Sequence, residues 1–142
     1  MSQDIHALIR LKKFAVDEQR RALGELLGHD AELTRREQAL EAGVKREQEL
    51  ANADPTGIGA QSYGLFAESV VRDRARMKDA RTKLEAAIAQ QQDIVAEAYR
   101  EFKTVEILQQ NRDRRTAAER ARKEQIAMDE IAANNHRRRA VA

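Results

Sequence analysis

The side chains that most often bind metals or attack substrates are few in this chain and far apart. The 142-residue sequence contains three histidines, His6, His29 and His136, and it contains no cysteine. None of these histidines has a His, Asp or Glu partner at the spacing of a convincing metal site. The absence of cysteine removes disulfides, thiolate ligands and thiol nucleophiles together. We therefore expect no metal site, and we expect the histidines to lie on the surface.

The segment Gly57-Ile58-Gly59 is the glycine pattern that could suggest phosphate binding. A phosphate-binding loop needs a following Gly-Lys-Ser or Gly-Lys-Thr, which is missing here, so the segment is expected to be a turn. Catalysis by a Ser/His/Asp triad or by paired carboxylates needs a concave pocket, and two long helices do not form one. We expect no catalytic residue, no cofactor and no small-molecule substrate, and hence no enzyme.

Basic side chains are concentrated toward the end of the sequence. Residues 1–54 carry a net charge of −2, residues 55–107 are neutral, and residues 108–142 carry +4. Clusters of Lys and Arg can neutralise the phosphates of a nucleic acid. Because no helix-turn-helix, zinc finger or stacking platform accompanies this cluster, nucleic-acid binding is kept only as an alternative.

The composition indicates long helices. The sequence is 42% hydrophobic and 35% charged but only 4% aromatic, and most of its apolar side chains are alanine and leucine. Runs of strand-forming residues between turn signals are missing, which predicts an all-α fold. No stretch approaches 18 consecutive apolar residues, and the first residues lack the pattern of a signal peptide. We expect a soluble, intracellular chain without a transmembrane segment.

Two apolar seams follow the alternating four- and three-residue steps of a coiled coil. The first begins at Ile5 and ends at Ala51, with nine of fourteen positions apolar. The second begins at Tyr63 and ends at Val105, with ten of thirteen positions apolar. Between them Pro55 and its neighbouring glycines provide a turn. Since neither helix can cover its own seam, we predict an antiparallel coiled-coil hairpin.

The predicted hairpin is a single domain over residues 1–142. The first helix is expected at about 4–51, the turn at 52–61 and the second helix at about 62–135. A basic tail is expected at 136–142.

Charged residues inside the seams predict how the two helices are aligned. Asp30 and Glu37 lie in the first seam, and Arg81 and Arg74 are the only charged residues of the second. The pairs Asp30–Arg81 and Glu37–Arg74 would both centre the hairpin on residues 55–56, where the turn residues also place it. We expect these two pairs to be close in space and to fix the register more than they add stability.

This register leaves residues 110–135 without a partner, so we predict that the end of the second helix projects as a free helix. No large apolar side chain occurs in residues 109–125, but Ile126, Met128 and Ile131 follow. Apolar side chains that reappear on an unpartnered helix indicate a docking surface.

Three short stretches of the sequence carry a family resemblance. Residues 9–14 contain an Arg-Leu pair, residues 105–108 are mostly apolar and precede three arginines, and residues 128–132 contain an Asp-Glu pair. The arginines are Arg112, Arg114 and Arg115. In their order, spacing and two-helix setting, these stretches resemble the FliJ family of the bacterial flagellar type III export apparatus. The resemblance covers essentially the whole chain.

This resemblance implies a cytoplasmic component, peripherally associated with the membrane-embedded export apparatus. It would sit in the central hole of the hexameric export ATPase as a stalk, stimulate hydrolysis there, and contact the cytoplasmic domain of the transmembrane export gate and export chaperones. The residues expected at the ATPase ring are Ile9, Arg10, Arg112, Arg114, Arg115, Arg122, Ile126, Asp129 and Ile131. Those expected at the export gate are Tyr63, Phe66 and Val70.

Two other functions remain open at this point. The chain could be the equivalent stalk of a type III secretion injectisome, and neighbouring genes would distinguish the two machines. It could also be a generic coiled-coil scaffold or a nucleic-acid-binding protein. Salt-dependent binding to DNA or RNA without any effect on an ATPase would indicate that third function.

Overall fold

The computed structural model describes residues 2–141, and it contains two helices in that range. Helix α1 is Ser2–Ala53 and helix α2 is Ile58–Val141. The described residues contain no strand, which confirms the predicted all-α fold. Met1 and Ala142, the two ends of the predicted domain, lie outside the described residues.

Helix α2 begins four residues before the expected start and continues through most of the expected basic tail. Pro55 is the only proline of the sequence, so no residue after the turn blocks the helical hydrogen-bond pattern. Arg138 and Arg139 lie in its last turn, where positive charge interacts favourably with the helix dipole. The tail is therefore helical although it has no apolar periodicity.

Contacts divide the described chain into two units. One comprises the residues up to 13 together with those from 99 onward, and the other comprises residues 14–98.

The unit of residues 14–98 is an antiparallel helical hairpin. Near the turn, the side-chain amide of Gln48 donates a hydrogen bond of 2.8 Å to the hydroxyl of Tyr63. Farther from the turn, the amide of Gln91 donates to the backbone oxygen of Gln19 at 3.0 Å and to its side-chain oxygen at 2.8 Å. These contacts run in opposite directions along the two helices, as the predicted hairpin requires.

The two predicted seams are the covered faces of the helices. All fourteen positions on α1 except Glu47, and all thirteen on α2 except Arg74, are buried or half-buried. Among the described residues the most deeply buried side chains are Val16, Val44 and Val70, which are 3–7% exposed. Since each covered CH₂ group contributes only about 0.8 kcal/mol, such a narrow seam needs its whole length to hold the helices together.

In the other unit, the beginning of α1 lies beside α2, whereas the end of α2 has no partner. The Lys12 Nζ atom is 2.9 Å from the Glu101 Oε2 atom, and Phe102 and Val105 of the seam are half-buried. Every residue from 110 to 141 is exposed. We call residues 110–141 the free arm; at 1.5 Å per residue it is about 48 Å long. The predicted projecting helix is thus confirmed.

Asp54 organises the turn and the start of α2. Its Oδ1 atom accepts hydrogen bonds from the backbone N–H (2.9 Å) and hydroxyl (2.8 Å) of Thr56. Its Oδ2 atom accepts a 2.7 Å bond from the backbone N–H of Gly59, one of the donors that a helix start leaves free. These bonds from Thr56 and Gly59 stabilise the carboxylate and lower the pKa of Asp54.

Two glycines of the turn are required by its geometry. Gly57 has a φ of +78°, in the left-handed region that other residues rarely adopt. At Gly59, a Cβ atom would lie 2.9 Å from Oδ2 of Asp54 and 3.4 Å from the Cα of Ala51. Gly64, farther along α2, has open space at the same position.

We expect Gly59→Ala to destabilise the hairpin, because the new methyl group displaces the carboxylate that caps α2. Gly64→Ala is the matched control, since alanine in an open helical position is worth about 0.5–1 kcal/mol more than glycine. Urea unfolding followed by far-ultraviolet circular dichroism measures both effects. Equal stability of the two variants would show that the Asp54 cap contributes nothing.

Acidification is expected to lower the stability of the hairpin, in part through Asp54. A carboxyl whose pKa is lowered by folding stabilises the fold above its unfolded pKa, about 3.9 for aspartate, and this contribution is lost as the pH falls through the folded value. Asp54→Asn should therefore flatten the acid limb of a plot of melting temperature against pH. Asp93→Asn, at an exposed position of α2, is the control, and an equal change of the acid limb in both variants would contradict a specific contribution from the Asp54 cap.

Candidate partner-binding sites

Arg81 is the centre of a polar cluster inside the hairpin. Its side chain is 23% exposed, and it donates hydrogen bonds to Asp30, to the hydroxyl of Thr34 (2.9 Å) and to Glu37 (2.6 and 3.0 Å). The bond to Glu37 is the main cause of the raised pKa of Arg81, and the charge of Asp30 adds to it. The expected proximity of Asp30 and Arg81 is therefore present, and Arg81 contacts more than one turn of α1.

The expected Glu37–Arg74 pair is replaced by two other pairs. Glu37 bonds to Arg81, whereas Arg74 forms a two-pronged interaction with Glu41, in which Nε and Nη2 each lie 2.8 Å from a carboxylate oxygen. This geometry matches the planar fork of a guanidinium, and it lowers the pKa of Glu41. Two carboxylates one helical turn apart are within reach of one long side chain, so seam position alone did not determine the partner.

All nine residues expected at the ATPase ring belong to the same unit of the structure, the residues up to 13 and those from 99 onward. Ile9 is half-buried in the seam, and Arg10 beside it is exposed. The other seven lie on the free arm and are exposed. Ile126 and Ile131 are 49% and 60% exposed, so both offer apolar area to a partner.

The free arm presents basic side chains that have no acidic partner. None of its nine Lys and Arg side chains lies within 4.0 Å of an acidic oxygen of the described residues. Two of its acids accept bonds from glutamines instead: Asp113 from Gln109 at 2.9 Å, and Asp129 from Gln125 at 3.0 Å. The arm is therefore a fully solvated, cationic helix with apolar side chains near its end.

The base of the arm carries apolar side chains that the sequence reasoning did not single out as a contact surface. Ile107 and Leu108 are 52% and 49% exposed, and Leu11 on α1, in the same unit, is 62% exposed. Nearby, the Nζ atom of Lys103 lies 2.7 Å from Glu106 and 5.6 Å from the centre of the Phe102 ring, and the bond to Glu106 raises the pKa of Lys103. These residues could have been identified from the sequence, because they are large apolar side chains at positions outside the heptad seam.

The residues expected at the export gate lie close to the turn in the other unit. Tyr63 and Phe66 are half-buried, with ring centres 6.3 Å apart. Val70 is only 3% exposed, so it packs between the helices and offers almost no area to a partner. Ile58 and Leu65, which were not expected there, are 67% and 73% exposed and line an open groove of about 450 Å³. They lie off the seam, which is why the heptad pattern did not identify them.

The described residues bring together no three His, Asp or Glu side chains that could hold a metal ion. In residues 2–141, neither helix has a stretch long and apolar enough to cross a membrane.

Substitution of Arg81 is expected to lower the melting temperature more than the same substitution of Arg74. Arg81→Met would leave both Asp30 and Glu37 without their partner in a partly covered seam, whereas Arg74→Met would free a single exposed carboxylate. Thermal unfolding of the two variants under the same conditions tests this difference. If Arg74→Met is the more destabilising change, the Arg81 cluster does not fix the alignment of the helices.

Comparison with known proteins identifies the family of the chain. No curated protein and no solved structure matches the chain significantly. The family model described as Flagellar FliJ protein matches residues 1–140. A match over nearly the whole length, together with the two-helix fold, confirms the resemblance, and the chain belongs to the flagellar FliJ protein family.

Proposed function

We propose that this chain is a stalk whose free arm binds the central hole of the hexameric flagellar export ATPase and stimulates ATP hydrolysis there. Family membership makes the chain a component of flagellar protein export, and this favours the flagellar machine over an injectisome. The observation that supports the finer assignment is the free arm itself. It has 32 consecutive exposed residues, and none of its basic side chains has an acidic partner within residues 2–141.

The charge of the arm suits a binding site that presents acidic groups. An exposed Lys or Arg gains little from a solvated surface pair, but several cations along one helix attract a negatively charged channel and steer the approach of the two partners. Arg112, Arg114, Arg115 and Arg122 would supply these contacts. Ile126 and Ile131 would then dock as apolar anchors. Their side chains are exposed to water in the single chain, and a partner that covers them would gain the free energy of burying this apolar surface.

A single helix inside a six-fold ring cannot make the same contacts with all six subunits. Each subunit would therefore meet a different face of the arm, and the arm would favour different conformational states in different subunits. Stimulation of hydrolysis would follow from this coupling, while the chemical step would be carried out by residues of the ATPase. Arg10 and Ile9, in the same unit as the arm, would contact the rim of the hole.

The turn-proximal surface is the proposed contact with the cytoplasmic domain of the export gate. Tyr63 and Phe66 keep part of their rings accessible, and Ile58 and Leu65 add exposed apolar area beside them. Such a surface could bind an apolar patch on the gate or on an export chaperone. The proposed location is the cytoplasm, at the inner face of the membrane-embedded export apparatus.

Charge reversal of Arg114 and Arg115 tests the ring assignment. The double variant Arg114→Glu/Arg115→Glu should lose most of its stimulation of the purified hexameric export ATPase, because two cations of the arm become anions facing an acidic surface. The measurement is the ATPase rate as a function of added protein, together with co-purification of the two proteins.

The control is Arg137→Glu/Arg138→Glu, which makes the same change in charge on the same helix outside the expected contact set. It should retain most of the stimulation. Circular dichroism must show the same helix content in both variants. An ATPase response that is unchanged by the first double variant, or equally reduced by the second, would contradict specific docking through Arg114 and Arg115.

A further inference from the structure

The free arm carries its charges in blocks of opposite sign. Residues 112–123 contain six basic and two acidic side chains, whereas residues 124–130 contain three acidic side chains and no basic one. The two blocks are adjacent on one continuous helix, and every residue in them is exposed. A surface that is basic at one end and acidic at the other is complementary to a second copy of itself turned through 180°.

We propose that the free arms of two copies of this chain pair with each other in an antiparallel orientation. A parallel pair would place each block against the same block of the other copy, so that like charges oppose one another. An antiparallel pair centred near residue 122 places residues 124–130 of each copy, with their three acidic side chains, against residues 114–120 of the other, which contain three arginines and one glutamate. Opposite charges then meet twice in each dimer, because the arrangement has two-fold symmetry.

One face of the arm provides the contact seam. Four- and three-residue steps from Ile107 pass through positions 111, 114, 118, 121, 125, 128 and 132. When the copies are aligned around the two-fold axis, Ala118 of one copy faces Met128 of the other, whose side chain is 65% exposed in the single chain. On one flank of this seam, Arg115 faces Asp129 of the second copy.

The same alignment limits the strength of the pair. At the two-fold axis, Arg122 of one copy lies next to Arg122 of the other. Arg114 occupies the seam, so the dimer contains uncompensated positive charge. Small alanine side chains also cover less area than leucine would. We therefore expect weak, reversible association, with a dissociation constant on the order of tens of micromolar.

Self-pairing does not depend on the proposed stalk function, because it requires only the arm. The two would nevertheless compete, since Arg115, Arg122 and Asp129 belong to both surfaces. A chain paired with its copy would have to separate before its arm could enter a ring.

Cross-linking through single cysteines tests the geometry directly, since the chain contains no cysteine of its own. With Arg122→Cys the two thiols would lie side by side at the two-fold axis, and a short bis-maleimide should link the copies efficiently. With Ala118→Cys the two thiols would be ten residues apart along the helix, about 15 Å, and should link poorly. Efficient linking of Ala118→Cys would indicate a parallel pair and overturn the proposal, as would failure of both variants.

A charge exchange tests the proposed contact between Arg115 and Asp129. Sedimentation equilibrium of the full chain should show association that weakens about tenfold in Arg115→Glu and in Asp129→Arg, because each change creates two like-charge contacts. The double variant Arg115→Glu/Asp129→Arg should recover most of the affinity. Lys123→Glu, on the face opposite the seam, is the control and should have a smaller effect.

These results are distinguishable from failure of the proposed function. The charge exchange restores self-pairing but has no reason to restore stimulation of an ATPase whose surface is unchanged. A chain that stays monomeric up to several hundred micromolar, or a double variant no better than the single ones, would overturn self-pairing and leave the ring assignment untouched.

Discussion

The central physical constraint is that two helices of very different length share one narrow apolar seam. Helix α1 has 52 residues and α2 has 84, and both depend on the seam because a helix with an uncovered apolar stripe is poorly stable in water. Where α2 has a partner, all its seam positions except Arg74 are covered. Beyond residue 109 every described side chain is exposed, and the sequence there changes from apolar seam residues to charged ones. The free arm is a consequence of this mismatch.

The turn and the Arg81 cluster contribute to the alignment of the helices in different ways. At the turn, the left-handed backbone of Gly57 and the carboxylate of Asp54 determine where α1 ends and α2 begins. Within the hairpin, Arg81 bonds to three side chains of α1 that span one heptad, so a shift of one heptad in either direction would separate it from at least one of its two acidic partners. The Arg81 cluster is half-solvated, so its main contribution is to select one alignment over others that cover the same amount of apolar surface.

The fold could be predicted from the sequence because its signals are periodic and local. The seams, the turn and the Asp30–Arg81 contact follow from heptad spacing and from Pro55 and the glycines. The partner of Arg74 could not be predicted, because Glu37 and Glu41 are one turn apart and the choice depends on side-chain conformation. The family resemblance placed Val70 at the export-gate surface beside Tyr63 and Phe66, yet its seam position buries it between the helices. The helical tail was missed because helix continues wherever nothing interrupts it, with or without an apolar pattern.

A solvated helix with several unpaired cations is only marginally stable by itself, so the physical state of the free arm depends on what covers it. Any surface that binds the helical arm and leaves the unfolded arm unbound will stabilise the helix by mass action. An acidic channel and a second copy of the arm offer the same kind of interaction, in which cations gain acidic partners and exposed apolar side chains lose contact with water. These apolar side chains are Ile126 and Ile131 in the proposed ring site and Met128 in the self-paired seam. The weaker of the two is displaced when the stronger is present. Within the proposed assembly, self-pairing would therefore cover Met128 only while the ring is absent, and its low affinity would be what allows the exchange.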